Sequence, residues 1–84
     1  MYPRIKEFKT LPGFMLSVLF DDGTHVLYDV KEDFSLPEYD ALRTQIGLFD
    51  SASLDDSRTV IYWNDRIDLP SDQILEYGKR STYA

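Results

Sequence analysis

The chain has 84 residues, one domain's worth, and 43% of them are hydrophobic and 14% aromatic, which belongs to a packed core rather than to disorder. It has no cysteine, which excludes disulfides, thiolate metal sites and thiol nucleophiles and is the usage expected of a cytoplasmic protein. The formal charge of −6 disfavours nucleic acid as a partner; no apolar run approaches the ~18 residues that cross a bilayer, and Met1 to Thr10 lack a signal-peptide core.

Arg4 to Leu11 reads as a first strand, with Ile5 on one side and Arg4, Lys6 and Phe8 on the other. Such a mixed pattern suits a sheet edge guarded by charge. Leu11-Pro12-Gly13 is a turn, since proline presets φ and glycine accepts positive φ. In the second strand Phe14, Leu16, Val18 and Phe20 share one face and Met15, Ser17 and Leu19 the other. Both faces are largely apolar, which places this strand centrally. Asp21-Asp22-Gly23 then marks a hairpin. The third strand follows, with Val26, Tyr28 and Val30 on one face and His25, Leu27 and Asp29 on the other.

Ser35-Leu36-Pro37-Glu38 has the S-x-x-E form of a capping box, with Pro37 in the first helical turn where its missing donor is harmless. Tyr39, Leu42 and Ile46 continue as a helical stripe, and Gly47 suits the position past the helix end. A short fourth strand is expected within Leu48 to Leu54, and Asp55-Asp56-Ser57 is a turn. A fifth strand is expected over Thr59-Val60-Ile61-Tyr62-Trp63, a β-branched and aromatic run. Asn64-Asp65-Arg66 interrupts it. Pro70 and Ser71 introduce a second short helix carrying Ile74, Leu75 and Tyr77, stopped by Gly78, with Lys79-Arg80 near its negative end. Ser81 to Ala84 are expected to fray. The reading is a single α+β domain over residues 1–84, an antiparallel sheet with two short helices in the order β-β-β-α-β-β-α.

Catalytic and metal chemistry find little support in these residues. His25 is the single histidine. Asp29 shares its strand face but lies ~13 Å away at ~3.3 Å per residue, too far for a direct pair. His25 therefore reads as an ordinary exposed or half-buried strand residue. A minimal hydrolase would need a cleft beside it holding a serine or a carboxylate. No serine lies in a G-x-S-x-G elbow, and the four glycines form no phosphate loop. Asp21-Asp22-Gly23 stops after two carboxylates, short of a calcium loop. No catalytic, cofactor-binding or metal residues are assigned, and no cofactor is expected.

Pro3-Arg4-Ile5, Phe20-Asp21-Asp22-Gly23, Tyr28-Asp29-Val30 and Trp63 with Ile67-Asp68-Leu69 carry a resemblance through their order and spacing. The chain resembles a family of small bacterial domains of unknown function that run P-R-I, L-x-V-x-F-x-D-G, D-V, W-P-N-G-x-D-L and P-E-x-L-Y. It departs from that pattern where Arg66 stands for the family's glycine, and in the helix Ser71 to Tyr77, which lacks the P-E-x-L-Y spelling. The resemblance implies the same β-β-β-α-β-β-α order and no established activity. It also implies that some relatives are encoded beside a second small protein, in toxin–antitoxin-like pairs.

Residues 21–40 hold seven acids against Lys31, a local −6 (1 − 7) that leaves the rest of the chain neutral. An acidic field steers a basic partner. Asp29, Glu32, Asp33 and Trp63 are therefore the candidate partner-binding surface. Trp63 reads either as a core residue packed on the second helix or as an interface anchor. The expected function is a non-enzymatic protein-interaction module, an acidic antitoxin-like half of a pair, with a basic protein as partner. The alternative is a small-molecule or cation-binding regulatory domain that uses the acidic turn and Trp63. Self-association through a strand edge stays open.

Overall fold

In the computed structural model, which describes residues 3–64 and 66–81, the hairpin around Asp21-Asp22-Gly23 is the centre of a four-stranded antiparallel sheet. Strands β1 (Ile5–Leu11), β2 (Met15–Phe20) and β3 (His25–Asp29) form a meander. Each turn carries its glycine for a physical reason. Gly13 takes φ +80° after Pro12, a left-handed conformation that glycine adopts without the cost a side chain would add. Gly23 takes φ +90° after the Phe20–Asp22 bend, and Thr24 N–H donates to Asp22 at 2.9 Å across it. Alternation then sorts the side chains. Leu16, Val18 and Phe20 of β2 and Val26 and Tyr28 of β3 are buried, while Met15, Ser17 and Leu19 are half-buried on the opposite face. Full burial of each aliphatic side chain stabilises the fold by about 1.5–3 kcal/mol.

Beyond Asp29 the chain makes two 3₁₀ turns, Val30–Asp33 and Pro37–Tyr39, before α1 (Asp40–Thr44). A third 3₁₀ turn, Phe49–Ser51, precedes β4 (Ser53–Leu54). Strands β5 (Val60–Tyr62) and β6 (Asp68–Pro70) complete a second antiparallel sheet in the order β4-β5-β6. Helix α2 (Ser71–Tyr77) and β7 (Lys79–Ser81) follow, and β7 joins the first sheet beside β3, giving β1-β2-β3-β7. The α+β class, the antiparallel pairing and the two short helices are as the sequence predicts. No described helix is long and apolar enough to cross a membrane.

Four local differences have identifiable causes. The capping box does not form: Leu36, not Ser35, occupies the cap position, without a side-chain bond, because a residue before proline prefers the extended backbone it shows (φ −81°, ψ 128°). Helix α1 ends at Thr44, with Gln45 extended, so the expected stripe reduces to buried Tyr39 and Leu42 and leaves Ile46 fully exposed. Strand β6 is additional, and its terminal Pro70 sits on a sheet edge where no ladder donor is needed. Strand β7 is the fourth difference: Lys79-Arg80-Ser81 pairs with β3, Ser81 opposite His25, so fraying does not extend to Ser81. The expectation for 82–84 lies outside the described residues.

Gly78 makes the sharp passage from α2 to β7 feasible. Its φ of −77° is ordinary, so the requirement is space: a Cβ there would sit 2.2 Å from Val26 Cγ1 and 2.6 Å from the Ile74 carbonyl oxygen. The two sheets are tied at Arg58, which lies in the β4–β5 turn with φ +61°. Its guanidinium donates to both oxygens of Asp21 at 2.8 and 2.9 Å, and its carbonyl accepts from Ile5 N–H at 2.7 Å. The common core gathers Leu16, Val18, Val26, Ile61, Leu69 and Ile74 from both sheets and α2.

Candidate functional site

Of the four residues singled out as a partner surface, Trp63 is buried, Asp29 and Asp33 are half-buried and Glu32 is exposed. Trp63 is 7% exposed, and its indole N–H donates to the Phe49 carbonyl at 2.8 Å. Its ring stacks on Phe49 at 5.9 Å, so it is a core residue and not an interface anchor. Of the acids, Asp29 caps the first 3₁₀ turn by accepting from Lys31 N–H at 3.0 Å and pairs with the Lys31 ammonium at 3.3 Å. Asp33 accepts the Tyr28 hydroxyl at 2.6 Å, and Gln73 Nε2 donates to that hydroxyl from α2 at 3.2 Å. Glu32 is exposed.

Tertiary pairing also redistributes the local charge. Asp21 is held by Arg58 and Asp40 by Arg43, two cations from outside the 21–40 window. With Asp29 on Lys31, three of the seven acids are paired, and Asp22, Glu32, Asp33 and Glu38 have no ion-pair partner among the described residues. Asp68 of β6 joins them. The Tyr39 hydroxyl donates to the Asp68 carbonyl at 2.5 Å, and Asp33, Asp68 and Glu38 all act on that phenol. Burial first, then these three negative charges, pushes Tyr39 well above the usual phenol range. Tyr28 is raised as well, by burial and then by its bond to Asp33. Asp33 thus acts on both buried tyrosine hydroxyls, and Glu38 and Asp68 on that of Tyr39 alone. Among the described residues no group of three or more His, Cys, Asp or Glu is arranged to hold a metal ion.

His25 is buried at 8% exposure rather than open to solvent, and its Nε2 lies 2.6 Å from Ser17 Oγ. Leu19, not Ser17, is its direct neighbour across the ladder, so the pair is a diagonal one. Serine and histidine at hydrogen-bond distance are the first requirement of a nucleophilic pair. The hollow beside Ser17, however, is about 10 Å³, the size of a single water.

A larger concavity lies elsewhere. One wall is the β1–β2 turn, Thr10 to Phe14, and the other runs from Leu42 through Ile46 to Asp50, enclosing about 500 Å³. That falls within the 300–1,000 Å³ of ordinary ligand sites. Its apolar lining comes from Leu11, Pro12, Leu42 and Ile46 together with Phe14 and the largely buried Phe49, whose rings meet edge to face at 5.3 Å and 74°. Phe34 packs on the other flank of Phe14 at 5.2 Å, and Trp63 backs Phe49. Of its two charged side chains, Arg43 is paired with Asp40, while Asp50 is exposed and has no ion-pair partner among the described residues. Sequence reasoning missed this cleft because its two walls are some thirty residues apart and neither follows a helix or strand period.

No family model matches the chain, and no curated protein or solved structure matches it.

Proposed function

We propose that the chain is a non-enzymatic interaction module whose acidic face, Asp33, Glu38 and Asp68, receives a basic protein partner. The observation that carries this reading is that Asp33, Glu38 and Asp68 have no ion-pair partner among the described residues while the negative charge of all three bears on the buried Tyr39 phenol. Unneutralised acids held by a rigid scaffold accelerate association with a cationic surface and select against anionic ones. The hollow beside Ser17, about 10 Å³, gives a substrate no room at that serine. The resemblance carried by Pro3-Arg4-Ile5, Phe20 to Gly23 and Trp63 to Leu69 adds that the partner is the product of an adjacent gene, with this chain as the acidic, antitoxin-like half.

The test is co-expression with the adjacent gene product followed by size-exclusion chromatography at about 0.05 M and about 0.5 M salt. Co-elution at low salt that weakens at high salt, and is lost when Asp33, Glu38 and Asp68 are together changed to Asn, is the expected result. Separate elution at low salt, or a complex indifferent to the triple substitution, removes the reading.

A further inference from the structure

We propose that the free edge of β1 is a self-association surface, on which a second copy of this chain pairs antiparallel about a two-fold axis at Phe8. This goes beyond the basic-partner reading and uses none of its three acids.

Strand β1 lies at the end of the first sheet, and its outer edge is closed at Ile5, whose N–H donates to the Arg58 carbonyl. The ladder shows which backbone groups lie beyond that point. Phe20 N–H donates to the Thr24 carbonyl, so the backbone of Phe20 faces β3. Alternation turns Val18 the same way and Leu19 and Ser17 toward β1. Their partners Glu7 and Lys9 therefore bond inward, which leaves the N–H and carbonyl of Phe8 and Thr10 aimed outward. Among the described residues no backbone bond outside the ladders ends on either of them. An edge of this kind is a template for another strand.

Charge selects both the occupant and the register. Glu7 and Lys9 are exposed, on the sheet face away from the core. A two-fold pair centred on Glu7 or on Lys9 sets like charges against each other across the axis. Centred on Phe8, it sets Glu7 opposite Lys9 of the second copy, and does so twice. The charges that guard this edge against other strands are thus complementary in that one register. The core face agrees. Phe8 lies opposite buried Val18 and is half-buried at the rim of the core, so two Phe8 rings meet at the axis and extend the core across it. This pairing closes at two chains, whereas β1 added to the β7 edge of the next copy would propagate into a fibre.

The experiment is sedimentation equilibrium of the whole chain from about 10 μM to about 1 mM, with amide chemical shifts followed over the same range. A monomer–dimer equilibrium is expected, with concentration-dependent shifts at Phe8 and Thr10. Thr10→Pro removes an outward N–H without touching the β1–β2 ladder, and is expected to weaken the dimer by at least about tenfold. Lys9→Glu is expected to weaken it about as much, and Glu7→Lys combined with Lys9→Glu to restore it to within about threefold. Lys79→Glu, the same charge change on exposed β7, leaves it unaltered. A mass that stays monomeric to about 1 mM, a dimer indifferent to Lys9→Glu, no recovery in the double exchange, or growth beyond two chains would each overturn the proposal. Glu7 and Lys9 are exposed, so the charge exchange decides the matter even where Thr10→Pro disturbs the fold.

Discussion

Replacing Trp63 with Phe asks whether that side chain holds the domain together. The substitution keeps an aromatic ring against Phe49 but removes the indole N–H that the Phe49 carbonyl accepts at 2.8 Å in a buried setting. A buried carbonyl left without its donor costs about 1–3 kcal/mol. The smaller ring also buries roughly 40 Å² less apolar surface, worth about 1 kcal/mol at 25 cal/mol per Å². The sum centres on about 3 kcal/mol, and at ~4–8 °C per kcal/mol for a chain of this size the melting temperature falls by about 12–24 °C. Urea unfolding and thermal melts followed by far-ultraviolet circular dichroism measure it without needing the lost fluorophore. A surface residue changed in this way moves stability by no more than ~0.5 kcal/mol. A loss that small would refute the core assignment and return Trp63 to the surface.

Gly78→Ala forces a methyl against Val26 and the Ile74 carbonyl and is expected to destabilise by about 1–3 kcal/mol, whereas Gly47→Ala at φ +83° in open space meets only backbone strain of about 1 kcal/mol; thermal melts that rank them the other way reject the packing account. Arg58→Ala removes a two-pronged bond to Asp21 whose groups are each about 40% exposed, so solvent screening holds the loss to ~0.5–1 kcal/mol. That difference should shrink in urea melts at about 0.5 M salt, and a salt-independent gap would contradict an ionic origin. Tyr28 and Tyr39 are raised above the unfolded phenol value of 10, so the native state keeps those protons longer than the unfolded chain does. Their contribution is whole below pH ~10 and drains as pH rises past it, by up to ~1.4 kcal/mol per pH unit for each tyrosine. Stability measured from about pH 8 to 11 should bend downward near 10, and less so in Tyr28→Phe; a flat profile would remove the argument.

Alternation made β2 and β3 legible in the sequence, because Leu16, Val18, Phe20, Val26 and Tyr28 all point into one core and a one-residue slip would expose every one of them. The same logic cannot see β6 and β7. Each is three residues long, and β7 is exposed throughout, so its strand character comes from β3 and the close fit at Gly78 rather than from its own side chains. Ile46 was misplaced for a related reason: a helical stripe predicts burial only while the helix lasts, and α1 stops two residues earlier. The Ser17–His25 bond lay within reach of sequence reasoning only through the register of the Asp21-Asp22-Gly23 hairpin, which places them diagonally across two strands. Searching His25's own strand for a partner looked along the wrong direction.

The acids show why a charge window in sequence differs from a charged surface. Asp21 and Asp40 fall inside the acidic run of residues 21–40, yet Arg58 and Arg43 neutralise them from outside it, while Asp68, absent from the run, joins Asp33 and Glu38 at Tyr39. Phe14 gives the parallel lesson for strain. Its φ of +59° costs about 1 kcal/mol for a residue with a side chain, and the edge-to-face contacts with Phe34 and Phe49, at ~0.5–1.5 kcal/mol each, offset it within the domain itself. The conformation is therefore accounted for by packing within the domain, as the burial of Phe49 between Phe14 and Trp63 shows.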